Sequence, residues 1–369
     1  MSLLNNKIAA LRKNDISISE DAITNISLFK TSDNLPFGKV LLPIMIQSIY
    51  EDGEWGKLKI RTYQNLTFDP TCKVFHYGQE IFEGMKAYNY DGAGPFLFRP
   101  EENAKRFAES ADRMAIPPLP NKLYLDSIKA ISLLGHDFIP KNSGESLYIR
   151  PFIFATDNHL GIKPSESFLY LVIASPSGAY FSSGSVKVLI ERYQARACAG
   201  GVGNAKTGGN YASSLQAMVK AKKQGFDQVL WLDSSEKKYV EELSGMNFFA
   251  VYDDQIITPE INDSILNGIT RKSVIEIAKT NNLKITEKKI EISTLLDDIK
   301  STKCSEVFAC GTAVIITPIS ELGDSDGQIY HLKYPQGNLS LKLREKLLDL
   351  QEGRSENYNN WRVKVDLNL

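Results

Sequence analysis

The sequence predicts a mixed α/β (α+β) protein of two domains, and three observations carry that expectation. Its 369 residues exceed what one ordinary core organises. Stretches with helical apolar spacing alternate with short apolar runs of strand character along the chain. In the middle, Ser175-Pro176-Ser177-Gly178 through Ser182-Ser183-Gly184 is the densest run of turn formers. It places a smaller domain at 1–176, a linker at 177–185 and a larger domain at 186–369.

Taken in order, Phe96-Leu97-Phe98 is a short apolar strand, and Pro100 suits the first turn of the helix that follows it. Ala104, Phe107, Ala108, Ala111 and Met114 recur at helical spacing until Pro117-Pro118 stops them. A second helix is predicted over Leu123–Leu134, then strands over Leu147–Ala155 and Phe168–Ala174, the latter apolar enough to be buried on both faces. The second half opens with an alternating strand, Val186–Ile190, and reaches the glycine-rich run Ala199–Asn210. Asn210 reads as the N-cap of a helix that ends at Gly225. Strands follow over Gln228–Leu232, Lys238–Glu242 and Asn247–Tyr252, and a helix begins near Gly268-Ile269-Thr270. The strand Glu306–Ala309 meets the turn Cys310-Gly311-Thr312-Ala313 and resumes over Val314–Thr317. Leu339, Leu343, Leu347 and Leu350 mark an amphipathic helix near the end.

Composition excludes several function classes. Hydrophobic residues are 43% and charged residues 24%, the mix of a globular protein, and a net charge of -1 offers no attraction to nucleic acid or an anionic membrane. Cys72, Cys198, Cys304 and Cys310 form no C-x-x-C pair and no zinc-type set, so no metal is expected and a reducing compartment is the simpler expectation. The first residues lack the charged and apolar regions of a signal peptide, and Ser167–Val186 is too rich in glycine, proline and serine to span a bilayer. A cytoplasmic location is expected.

Lys206 is the most informative residue. It lies between small residues just ahead of a helix, where backbone can approach a ligand closely. Burial and a nearby cation would make its amine a nucleophile toward an aldehyde, although a loop lysine taken alone is more often solvated. Arg106, the helix start at Gly268-Ile269-Thr270 and the turn at Gly311-Thr312 are features that can hold an anion. Each also has an ordinary structural explanation. Glu241 and Glu242 end a strand, and alternation lets only one of them point inward. An inward Glu242 could keep a pyridine nitrogen protonated; an exposed acidic pair is the alternative.

The run Gly200-Gly201-Val202-Gly203-Asn204-Ala205-Lys206-Thr207-Gly208-Gly209-Asn210-Tyr211 resembles the cofactor-lysine segment of branched-chain aminotransferases, fold-type IV pyridoxal phosphate enzymes. Phe82-Glu83-Gly84-Met85-Lys86-Ala87, Leu97-Phe98-Arg99-Pro100, Tyr148-Ile149-Arg150-Pro151, Gly178-Ala179-Tyr180-Phe181, Val229–Asp233, Glu242 with Met246-Asn247, and Gly311-Thr312-Ala313 match in the family's order. The matches run from about residue 30 to the C-terminus. The resemblance implies pyridoxal 5'-phosphate held on Lys206 as a Schiff base. It also implies reversible, ping-pong amino transfer between L-leucine, L-isoleucine or L-valine and 2-oxoglutarate, with glutamate and 2-oxo acids as the other partners. Lys206 would shuttle the proton. Arg106, the backbone N–H groups of Ile269 and Thr270, and Thr312 would bind the phosphate, with Arg196 close by. Tyr211 would bond the phenolic oxygen and Glu242 the ring nitrogen. Phe37, Tyr77, Phe82, Tyr148 and Tyr180 would wall the side-chain pocket, and Ala313 would offer backbone to the substrate carboxylate. A homodimer is implied.

A pocket of aromatic walls suits branched aliphatic chains, but glutamate needs a cation for its side-chain carboxylate, and Arg150 is the candidate. The chain departs from the family pattern in two places. Val314 and Thr317 stand where larger members often carry a C-x-x-C pair, so no thiol switch is expected there. Ser244-Gly245 replaces a common Gly-Thr pair. The alternatives are a D-amino acid aminotransferase or aminodeoxychorismate lyase of the same fold type, and a noncatalytic cofactor-binding protein.

Overall fold

The structure, a computed structural model, describes residues 2–178, 184–253, 255–357 and 359–367. The chain divides into two units, residues 1–180 with 348–369, and residues 181–347.

The first unit is built on a ten-stranded sheet. Its centre is the antiparallel pair Ser146–Ala155 and Phe168–Ser177, in register from Ser146↔Ser177 to Ala155↔Phe168. Ile44–Glu51 extends the sheet on one side, and Met85–Tyr88 followed by Phe96–Phe98 on the other. Alternation along Ser146–Ala155 sends Leu147, Ile149 and Ile153 into the core, where Ile128 and Ile131 of the helix Asn121–Gly135 join them. Tyr148, Arg150 and Phe152 are left half-buried on the other face. The helix Pro100–Arg113 starts with proline in its first turn, as its spacing predicts, and buries Ala104, Arg106, Phe107 and Ala111 along one side.

The division differs from the sequence expectation at its far end. Arg362–Lys364 pairs antiparallel with Phe96–Phe98, so residues 348–369 belong to the first unit rather than to a domain at 186–369. With that return, the first unit, expected to be the smaller, holds the longer length of chain. Within the expected linker at 177–185, Ser177 still closes a strand, and Tyr180 lies outside the described residues.

The second unit carries a nine-stranded mixed sheet. Val186–Glu191 lies parallel to both Gln228–Leu232 and Ile315–Gly323, and Ile315–Gly323 pairs with Cys304–Gly311. Cys304–Gly311 pairs in turn with Met246–Tyr252. Because Val240–Leu243 pairs with both Gln228–Leu232 and Met246–Tyr252, the strands close into a ring with no open edge along it. Val188, Ile190, Leu230, Phe248 and Val307 pack with Leu295 and Ile299 of the helix Ile292–Lys300 to fill one core. Burying each such side chain contributes about 1.5–3 kcal/mol.

The helix predicted from Asn210 to Gly225 is two pieces, Gly209–Ala212 and Leu215–Lys223. Asn210 is not its N-cap: its amide donates to the carbonyls of Val202 and Ala205, both at 2.8 Å, and so ties the glycine-rich loop to the helix. All four cysteines are free, and Cys198 alone among them is exposed. Among the described residues no helix is long and apolar enough to cross a membrane.

Candidate active site

In the second unit the glycine-rich loop folds back on itself before the helix Gly209–Ala212. Asn210 holds it from inside, and Gly203 lets it pass close to Ser264: a Cβ there would stand 2.5 Å from Ser264 Cα and 2.7 Å from Ala197 Cβ. Lys206 leaves this loop half-buried, and its Nζ lies 2.9 Å from the hydroxyl of Tyr211. The five-residue separation is spanned because Tyr211 N bonds Gly208 O, starting the first helical turn. The Tyr211 ring in turn lies over Gly245, where a Cβ would meet Cε1 at 3.6 Å. The carbonyl of Gly245 closely faces Gly311, so the turn Gly311-Thr312-Ala313 joins the same neighbourhood.

Glu242 is buried on the strand Val240–Leu243. Arg196 Nη2 grips its Oε1 at 2.7 Å and Asn247 Nδ2 donates to its Oε2 at 3.0 Å. Burial pushes the carboxyl up to about 7; Arg196, the Leu266 N–H and Lys206 work against that, while Glu241 adds to it. Asn247 also donates to Leu266 O at 2.9 Å, next to Gly268, which caps the helix Ile269–Thr280. Ile269 and Thr270 begin that helix, and its first N–H groups have no intrahelical acceptor.

One expectation changes here. Glu241 and Glu242 are both buried, since both faces of this strand are covered: Ser264 Oγ donates to Glu241 Oε1 while Arg196 and Asn247 hold Glu242. Arg196, expected close to the phosphate, directs its guanidinium to Glu242, Ser264 O and Gly203 O. Ser244, at the first departure from the family's Gly-Thr pair, accepts from Trp231 Nε1 at 3.1 Å.

The first unit holds the remaining described candidates. Phe37 meets the Tyr148 ring edge-on at 4.7 Å, and the Arg150 guanidinium lies 4.7 Å over Phe82 and 5.5 Å from the Tyr148 ring centre. Arg150 Nη2 donates to the Tyr148 hydroxyl at 3.1 Å, and its buried Nε has no partner among the described residues. Phe82 enters this group because it pairs with Phe152 at the sheet edge. Tyr77 ends the short helix Lys73–Tyr77 with its ring partly exposed and its hydroxyl donating to Leu160 O. Arg106 is a buried residue, not a solvated helix position: its Nε and Nη2 fork onto Glu83 at 2.6 and 2.9 Å, and Asn103 joins at 2.8 Å. Sequence reasoning missed Glu83, Asn247 and Ser264 as partners of the charged groups. Their signal lay only in the motifs that contain Glu83 and Asn247, and Ser264 had none.

A lysine amine beside a phenol, a buried carboxylate and a helix start suit a planar aromatic aldehyde bearing a ring nitrogen and a phosphate. The residues present therefore fit pyridoxal phosphate. The fold and this donor set define the class to which such cofactor-dependent transferases belong, and the comparisons agree with it. Residues 80–322 match the family described as amino-transferase class IV. The chain is 43% identical over 343 residues to branched-chain-amino-acid transaminase 1 of Bacillus subtilis (strain 168), covering 90% of this chain and 94% of the relative. It is 40% identical over 341 residues to the branched-chain-amino-acid aminotransferase of Mycolicibacterium smegmatis, covering 90% and 93%. Among solved structures, the T.th. branched-chain amino acid aminotransferase complexed with N-(5'-phosphopyridoxyl)-L-glutamate superposes with a TM-score of 0.69 at 30% identity, over 86% of this chain and 98% of that one. The enzyme of Thermoproteus uzoniensis with norvaline gives 0.71 at 26% identity, over 87% and 100%. The chain belongs to amino-transferase class IV, in the branch of the branched-chain aminotransferases.

Proposed function

We propose that the protein transfers amino groups reversibly between L-leucine, L-isoleucine or L-valine and 2-oxoglutarate, in two alternating half-reactions, with Lys206 as its catalytic base. The observation that carries this reading is the 2.9 Å contact of Lys206 Nζ with Tyr211 on a loop beside buried Glu242. The names of its relatives support the substrate class.

Lys206 would carry pyridoxal phosphate, with Tyr211 at its phenolic oxygen and Glu242 at its ring nitrogen. Arg106, Thr312 and the N–H groups of Ile269 and Thr270 would hold the phosphate. When bound, the cofactor supplies an electron-withdrawing ring that acidifies the substrate Cα–H. The amine of Lys206 would take the proton from the substrate Cα and deliver it to the cofactor's C4′, and Tyr211 would fix where that amine points. Arg196 and Asn247 keep Glu242 aimed, and Arg196 opposes the protonation that burial favours. The backbone at Ala313 would receive the substrate carboxylate. In the first unit, Phe37, Phe82 and Tyr148 offer apolar faces for a branched side chain. Arg150, whose Nε has no partner among the described residues, would offer the charge that a glutamate side chain requires. Exposed Phe75, Leu160 and Ile162, the last 90% exposed, support the homodimer reading, because apolar side chains left in water favour cover by a second copy. The free cysteines support a reducing, cytoplasmic setting.

The test is spectroscopic. L-leucine alone should convert the absorption of the pyridoxal phosphate-loaded protein, 2-oxoglutarate should restore it, and Lys206→Ala should abolish the change. A loaded protein indifferent to L-leucine, L-isoleucine and L-valine would overturn the substrate assignment.

A further inference from the structure

We propose that Glu83 is a positioning residue for phosphate binding: its carboxylate clamps one edge of the Arg106 guanidinium and so fixes the direction of the N–H groups beyond that edge. This rests on the reading that Arg106 meets the cofactor's phosphate.

Glu83 lies between the strands Glu80–Phe82 and Met85–Tyr88, fully buried, and its own N–H is held by Pro151 O at 2.8 Å. Donors converge on its carboxylate from two elements. Arg106 Nε reaches Oε1 at 2.6 Å, while Arg106 Nη2, Asn103 Nδ2 and Gly84 N reach Oε2 at 2.9, 2.8 and 3.1 Å. Asn103 and Arg106 are three residues apart on the helix Pro100–Arg113, so one helical face meets one carboxylate. Gly84 fixes that carboxylate from the strand side and Asn103 from the helix side, and Arg106 inherits its orientation.

By charge alone, a glutamate beside this arginine works against an anion, because the pair is neutral where the arginine alone is cationic. What Glu83 adds is direction. A loose arginine gives up rotamer freedom when it grips a phosphate, and one already clamped has given it up beforehand. The fork onto Glu83 occupies the Nε–Nη2 edge of a rigid plane, so the rest of that plane is aimed one way.

The experiment compares the dissociation constants of pyridoxal phosphate and of pyridoxal, which lacks the phosphate, for the whole apo-protein and its variants. Glu83→Gln keeps the size of the side chain but offers one acceptor oxygen where the Arg106 fork needs two. It should weaken pyridoxal phosphate about tenfold and leave pyridoxal within about twofold. A merely structural role would weaken both ligands alike, and a charge effect alone would tighten pyridoxal phosphate; either result overturns the proposal, as does an unchanged pair of constants. If Glu83→Gln does not fold, Asn103→Ala decides the question, because it strips one donor from the Glu83 carboxylate; a shift of about threefold in the same sense is expected. The double variant Glu83→Gln with Arg106→Met leaves neither charge of the pair buried alone and tests the underlying reading. It should lose still more of the preference for pyridoxal phosphate over pyridoxal. If it keeps the full preference of the unaltered protein, the reading that Arg106 meets the phosphate is what fails.

Discussion

Replacing Gly268 by alanine should weaken pyridoxal phosphate binding without disturbing the backbone. Gly268 has φ -65° and ψ 135°, a conformation open to any residue, so the added methyl group brings no torsional strain. Its Cβ would, however, run into Asn247 Oδ1, with Cγ at 3.3 Å. Asn247 must swing away, and two buried acceptors, Glu242 Oε2 and Leu266 O, then lose donors now at 3.0 and 2.9 Å. A buried polar group left unsatisfied costs about 1–3 kcal/mol, so about 2 kcal/mol is expected. That corresponds to roughly 30-fold weaker cofactor binding. The assay is titration of the apo-protein with pyridoxal phosphate for Gly268→Ala, Asn247→Ala and the double variant. If Asn247 transmits the effect, Gly268→Ala should add almost nothing in the Asn247→Ala background. Binding within about threefold of the parent, or an undiminished effect in that background, would refute the reasoning.

Other consequences are equally direct. Glu306 accepts from the N–H groups of Asn338, Leu339 and Ser340 and from the Ser340 hydroxyl, anchoring the helix Leu339–Glu352; Glu306→Ala should cost about 2–4 kcal/mol in urea unfolding. The Glu242 carboxyl holds its proton more tightly in the folded protein, about 7 against 4.5. The apo-protein therefore has the full contribution below 4.5 and loses it as pH rises through about 7, and Glu242→Gln should flatten that slope in thermal unfolding. Arg150→Met should lower kcat/KM for glutamate about 100-fold while L-leucine changes little, because only glutamate brings a charge that Arg150 must meet.

The site was legible in sequence where it is local. Lys206 and Tyr211 share one turn and one loop, so proximity in the chain becomes proximity in space. Glu242 was legible through its strand, but its partners were not: Arg196 lies far along the chain, and nothing in local spacing selects it. Alternation misled at Glu241, because it assumes a strand with one wet face, and a strand in the closed ring has its polar partners on both. Asn210 misled for a related reason. Asparagine before a helix is a good cap by local rules, yet here its amide serves carbonyls of the preceding loop. The pairing of Arg106 with Glu83 likewise joins a helix to a strand end that only the tertiary fold brings together.

The return of Arg362–Lys364 to Phe96–Phe98 bears on how the protein is made. Until that segment arrives, Phe96–Phe98 presents a free strand edge, with Phe96 lacking the cations of Arg362 and Lys364 and Phe98 lacking the Trp361 ring. Synthesis runs from the N-terminus, so the early part of the first sheet must wait, edge open, while the whole second unit emerges from the ribosome. At about 5–20 residues per second that wait lasts on the order of ten seconds or more. Nascent chains stalled before residue 362 should therefore be the species that chaperones capture.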